Sequence, residues 1–83
     1  MTRTPTRTAV NARLTSAFTR LLAARAARAA TVSCSDEWLV AHYELTDART
    51  ELAAAYEQAE RAFGRRNAQN MAARAEQSAN ACN

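Results

Sequence analysis

The feature that most constrains this chain is a seven-residue repeat between residues 38 and 62. One position of the repeat is occupied by the large side chains of Trp38, Leu45 and Leu52, and then by Ala59. Alanine follows each of them three residues later: Ala41, Ala48, Ala55 and Ala62. A seven-residue repeat keeps one face of an α-helix turned toward a partner helix. Alanine beside that seam lets two backbones approach closely. The repeat therefore predicts a long helix, over about residues 36–63, that packs closely against another helix.

Composition extends the helical prediction to the whole chain. Twenty-two of the 83 residues are alanine, the best helix former, and there is only one glycine and one proline. So few turn-forming residues do not support a sheet. A chain of this length forms one domain with a modest core, and such domains are often stabilised by oligomerisation. We expect an all-α domain.

A second helical pattern precedes the repeat. Val10, Leu14, Phe18 and Leu21 recur at spacings of three and four, which predicts a first helix over about residues 8–30, capped by Thr8. The segment TVSCS, residues 31–35, interrupts this pattern, and Ser33 or Ser35 can cap the next helix. A connection of this length makes the two helices antiparallel neighbours.

Folding the chain about residue 33 predicts which side chains meet across the hairpin. Large side chains would face small ones at one level and large ones at others, as close packing requires. The predicted pairs are Leu22 with Leu45, Phe18 with Ala48, Leu14 with Leu52, and Val10 with Tyr56.

The apolar pattern changes register at Gly64. We interpret Gly64 as the end of the second helix and Asn67 as the cap of a third, over about residues 67–80. One long kinked helix is the alternative. Met71 is the only large apolar side chain in this segment, so we expect the third helix to pack weakly. The predicted fold is an antiparallel helical hairpin with a short C-terminal third helix, self-associating into a bundle. It comprises a flexible basic arm, residues 1–7, and a single helical domain, residues 8–83.

Three apolar residues lie off the main stripe of the second helix. Leu39, Val40 and Tyr43 fall on nearly the opposite side of the helical wheel, so the first two turns are apolar all round. A hairpin buries only one side of each helix, and a contiguous exposed apolar patch usually marks a contact surface. We expect a contact between chains here. The alternative is that the third helix, or the loop with Val32, covers these residues.

Charge is divided unevenly along the chain. The first 35 residues carry six arginines and no acid, and the remainder carries five arginines and eight acids. Such asymmetry is typical either of a nucleic-acid contact or of two halves that pair with each other as arms of a hairpin. The candidate polyanion-binding side chains, expected to face solvent, are Arg3, Arg7, Arg13 and Arg20.

The absence of lysine suggests a GC-rich genome, such as that of an actinobacterium or one of its phages. That bias alone can supply the arginines. The arginine-rich, acid-free N-terminal segment also has the composition of a mitochondrial transit peptide, although we favour a basic amphipathic helix in a bacterial protein.

Catalytic and metal-binding patterns are not found in the sequence. His42 is the only histidine, and Cys34 and Cys82 form no CxxC motif, so zinc-ligand spacing is absent. We expect His42 to be a partly buried packing residue. We expect the two thiols to be free, with an intermolecular disulfide as the alternative. No segment has the length and apolar character of a membrane span.

These observations predict a small non-enzymatic protein-interaction or assembly module without a cofactor. Its partner would be a second copy or another protein, and its setting the cytoplasm or a phage particle. The alternative is a nucleic-acid-binding regulator that uses the basic arm and the first helix.

Overall fold

The computed structural model describes residues 5–81, which form three helices. They are α1 (Arg7–Ala29), α2 (Asp36–Phe63) and α3 (Arg65–Ala81), and no strand occurs within this range. Each helix packs against the other two. The start of α1 packs against the second half of α2, and the end of α1 packs against its first half, so these two helices are antiparallel. Helix α3 packs against the start of α1 and the second half of α2. The all-α class and the packed helical hairpin are confirmed.

Hydroxyl side chains cap the first two helices. Thr6, rather than the predicted Thr8, caps α1, because its Oγ1 accepts a hydrogen bond of 3.1 Å from the Ala9 amide. Ser35 caps α2, and its Oγ accepts a hydrogen bond from the Trp38 amide. The structure thus decides between Ser33 and Ser35. Both bounds of α2 agree with the sequence prediction.

A single residue separates α2 from α3. Gly64 has a φ of +87°, a conformation that side chains other than glycine rarely adopt, and its amide donates to the Glu60 carbonyl. The predicted cap at Asn67 is wrong, since α3 begins at Arg65 and the Asn67 side-chain amide donates back to the Phe63 carbonyl. The positive φ of Gly64 excludes one continuous helix through this point.

The alanine row of α2 forms the centre of the helix seam. Ala48 and Ala55 of this row have no exposed surface and Ala41 is buried, whereas Ala62 is half-buried. Leu45 and Ala59, at the other position of the repeat, are also fully buried.

One prediction across the seam is wrong: Leu21 is buried there and Leu22 is only half-buried. Two core clusters result. One joins all three helices around the start of α1, and the other joins the end of α1 to the middle of α2.

The third helix buries four residues along one face, and Ala72 beside them is half-buried. Its inward-facing residues are mostly alanine, and they pack where α1 and α2 supply the bulk. The larger groups at this contact come from α1 and α2, namely Val10, Leu14, Tyr56 and Phe63. That α3 packs weakly stays a prediction. The buried residues of α3 are Ala68, Met71, Ala75 and Ala79.

The loop between α1 and α2 contains a strained residue. Cys34 has a φ of +65°, the left-handed region that is unfavourable for residues with a Cβ. We expect Cys34→Gly to raise the free energy of unfolding by about 0.5–1 kcal/mol, because glycine removes this strain at a smaller entropic cost. Urea denaturation measures the change. Cys34→Ser is the matched control, since it keeps the Cβ and should give no gain. An equal gain from both variants would contradict the explanation by strain.

Candidate interaction surfaces

An apolar groove opens between α1 and α2 on the face of the hairpin away from α3. It has a volume of about 550 Å³. Small side chains on both helices create it, because their methyl groups do not fill the space between the two backbones. Its apolar lining consists of Ala23, Ala24, Ala27, Val40 and Ala41.

The two edges of the groove carry opposite charges. Arg20 lies on the α1 edge, and Glu37 and Glu44 lie on the α2 edge. The Arg20 Nη2 atom is 3.8 Å from the Glu44 Oε2 atom, and both side chains are about half exposed. Such an exposed pair contributes little to stability, so both groups can exchange partners at low cost.

The predicted contact patch is exposed and adjoins the groove. The exposed fractions of Leu39, Val40 and Tyr43 are 38%, 64% and 63%. Neither α3 nor the loop covers them, and Val32 in that loop is itself 79% exposed. Val40 belongs to both the patch and the groove wall. The patch and the groove therefore meet at Val40, and together they are called the α1/α2 surface below.

The predicted polyanion-binding arginines do not share one surface. Arg3 lies outside the described residues, and Arg7 stacks on the Phe63 ring at 5.3 Å. The expectation that Arg13 faces solvent is wrong, because its Nε donates to Glu51 at 2.6 Å. Its Nη1 also donates to the Gln58 side chain at 2.8 Å. Arg13 and Arg20 thus pair with acids of α2, as expected if the two halves of the chain form arms of a hairpin.

The Arg13–Glu51 pair alters the titration of both partners. The hydrogen bond from Arg13 lowers the pKa of the Glu51 carboxyl below its ordinary value of 4.5. The same bond raises the pKa of the Arg13 guanidinium. A carboxyl whose pKa is lowered by folding stabilises the folded state above its unfolded pKa, and this contribution disappears as the pH falls through the folded pKa.

We therefore expect the difference in melting temperature between the wild-type chain and Glu51→Gln to shrink as the pH falls below about 4.5. Protonated Glu51 resembles glutamine, so the two chains should converge in acid. Thermal melts at several pH values measure this. Glu76→Gln is the control, because Glu76 is exposed and has no ion pair within residues 5–81. A difference from Glu51→Gln that persists unchanged in acid would refute the assignment.

His42 is held in a stack at the loop end of the hairpin. Its ring is parallel to that of Trp38, with centroids 5.0 Å apart. The Arg28 Nη1 atom is 3.1 Å from the His42 Nδ1 atom. Because a guanidinium can only donate, Nδ1 is the acceptor and the ring proton lies on Nε2. The sequence predicted a partly buried histidine but not its arginine partner. The feature that could have indicated this partner is the position of Arg28, a charged residue on the apolar stripe of α1.

The remaining chemical features add no further site. Cys34 is an exposed free thiol, whereas Cys82 lies outside the described residues. Within residues 5–81 no three side chains are grouped as metal ligands. No helix in that range has both the length and the apolar character needed to cross a bilayer. Comparisons of the chain with protein-family models, curated proteins and solved structures found no match.

Proposed function

We propose that this chain is a small helical assembly module that associates with a second copy of itself through the α1/α2 surface. The observation that carries the proposal is the juxtaposition of a projecting apolar patch and an alanine-lined groove on one face. The groove lining is hydrocarbon, which supports packing rather than catalysis.

Shape favours a second copy as the partner. In a two-fold interface the same surface of both subunits is used, so the projections of each copy must fit the recesses of the other. Val40 projects at the α2 edge of the groove, and the exposed Tyr43 follows it three residues later on α2. The opposite wall is formed by the small side chains of Ala23 and Ala27. A two-fold axis beside Val40 would bring the projecting side chains of each copy toward the groove of the other.

Charge favours the same arrangement. The α1 edge of the groove is basic through Arg20, and the α2 edge is acidic through Glu37 and Glu44. A two-fold operation that brings the α1 edge of one copy onto the α2 edge of the other joins opposite charges at both edges. Complementary charges across an interface steer association and suppress wrong partners.

The proposal predicts that Val40→Glu with Tyr43→Glu gives a monomer that remains helical. Both residues lie outside the buried seam, so their replacement should not open the hairpin, whereas two added charges on a desolvated face oppose association. Light scattering gives the mass and circular dichroism the helicity. The matched control is Ala73→Glu with Gln77→Glu, which adds two charges to exposed positions of α3.

The control variant should retain the mass of the wild-type chain. Equal dissociation of both variants would show that net charge, rather than the α1/α2 surface, governs association. Unfolding of the Val40 and Tyr43 variant would place these residues in the core and refute the proposal.

A further inference from the structure

The three helices divide charge between two sides of the bundle. Helix α1 carries five arginines and no acid, and α3 carries three arginines and one acid, Glu76. Helix α2 carries seven acids and two arginines. The face between α1 and α3 is basic through Arg7 and Arg74. Arg13, Arg20 and Arg28 of α1 contact side chains of α2 instead, where the acids are concentrated.

A polar cleft lies between α1 and α3 on this basic face. Its volume is about 210 Å³. Two guanidinium groups, one amide and two hydroxyl groups line it, and no carboxylate does. Within residues 5–81 none of these side chains makes a hydrogen bond or an ion pair with another side chain, unlike those of Arg13 and Arg20. The polar residues are Arg7, Asn11, Thr15, Arg74 and Ser78.

The polar character continues along both helices beyond the cleft. On α1, uncharged polar residues recur at spacings of three and four: Thr8, Asn11, Thr15 and Thr19. The same spacing on α3 gives Asn67, Asn70, Arg74 and Ser78. The one acid of α3, Glu76, is two residues from Arg74 and so projects about 200° around the helix from it. The result is a strip of polar side chains without acids, about 16 Å long on α1. Two of its members, Thr19 and Asn67, already donate hydrogen bonds to the backbone carbonyls of Thr15 and Phe63.

We propose that this α1/α3 strip binds the phosphate backbone of a nucleic acid. Arginine guanidinium groups together with serine, threonine and asparagine side chains are the groups that proteins place on phosphate oxygens. A strip that continues over three turns suits a polymer of phosphates better than a single anion. The Phe63 ring lies under the Arg7 guanidinium and no aromatic group among the described residues lines the cleft, so the contact positions the backbone and does not read bases.

This strip does not depend on the proposed self-association. Arg7 and Ala27, which mark the strip and the groove, project about 160° apart around α1. The set also differs from the arginines that the sequence suggested, since Arg13 and Arg20 are paired with acids. Of the arginines suggested by the sequence, only Arg7 lines the cleft, and Arg74, which the sequence did not suggest, lies there with it.

Fluorescence anisotropy with labelled single-stranded and duplex DNA, between about 50 and 200 mM salt, tests the proposal. The wild-type chain should bind, with an affinity that falls steeply as salt rises. Arg7→Gln with Arg74→Gln should weaken binding and reduce the slope of log K against log salt by about 2. Arg49→Gln with Arg65→Gln removes the same charge from exposed positions away from the cleft, since Arg65 projects about 180° from Arg74 around α3, and should retain most of the affinity.

An isosteric pair of variants separates the cleft from general charge without disturbing Arg7. Asn11→Asp introduces one carboxylate into the cleft and should weaken binding severalfold, whereas Gln69→Glu adds one carboxylate elsewhere on α3 and should not. The helicity of all four variants is verified by circular dichroism. Absence of wild-type binding at about 50 mM salt, or equal losses in the cleft and control variants, would overturn the proposal.

Discussion

Leu45→Asp is expected to unfold the chain. Leu45 has no exposed surface and packs with Leu21, Ala24 and Ala48 in the seam between α1 and α2. An aspartate there places a carboxylate among hydrocarbon groups with no partner, which costs several kcal/mol. A domain of this size has a total stability of about 5–10 kcal/mol, so little would remain.

Circular dichroism at room temperature measures the loss of helix. Leu39→Asp provides the matched control, because it makes the same chemical change on the same helix at a residue that is 38% exposed. The control should keep its helicity. Full helicity in Leu45→Asp would contradict the assignment of the seam.

Ala55→Leu is expected to lower the free energy of unfolding by about 1–3 kcal/mol. Leucine usually matches alanine closely as a helix former. Ala55, however, has no exposed surface and belongs to the same cluster as Val10, Leu14 and Ala68, where extra methylene groups force neighbouring helices apart.

Urea denaturation gives the free energy of unfolding of this variant. Ala73→Leu, at an exposed position of α3, is the control and should be nearly neutral. Stabilisation by Ala55→Leu would mean that the alanine row faces solvent and that the seam is elsewhere.

The features that could be predicted from the sequence are those fixed by local chemistry and periodicity. The repeat from Trp38 to Ala59 predicted which face of α2 is buried. Gly64 marked the end of that helix, and Ser33 or Ser35 marked its start, which the structure places at Ser35. Both ends agree with the structure because a side-chain cap and a left-handed glycine are determined within one turn of the chain.

The features that escaped prediction depend on which residues meet across helices. A helical wheel shows Arg13 pointing away from the apolar stripe, but only the register of the hairpin places Glu51 and Gln58 beside it. The start of α3 was predicted two residues late because Asn67 resembles a cap in sequence. In the structure its side chain bonds back to Phe63 across the corner that Gly64 makes.

The two surfaces could be predicted only in part. Leu39, Val40 and Tyr43 were recognised as apolar residues off the stripe, and their exposure is visible in the structure. The groove beside them could not be predicted. In the sequence Ala23 and Ala27 are ordinary helix formers, and only the packing of α1 on α2 places them opposite Val40. The α1/α3 cleft likewise arises only when Arg7 and Arg74, 67 residues apart, are brought together by the packing of α3 against α1.

Sedimentation equilibrium of the unaltered chain tests the proposed self-association most directly. A single chain has a mass of 9.1 kDa. We expect the mass to rise with concentration toward twice that value. In a two-fold dimer the α1/α2 surfaces of both copies are occupied, so no further copy can bind. A single 9.1 kDa species at every concentration up to about 1 mM, where an association of only about 4 kcal/mol would already populate the dimer, would contradict the account.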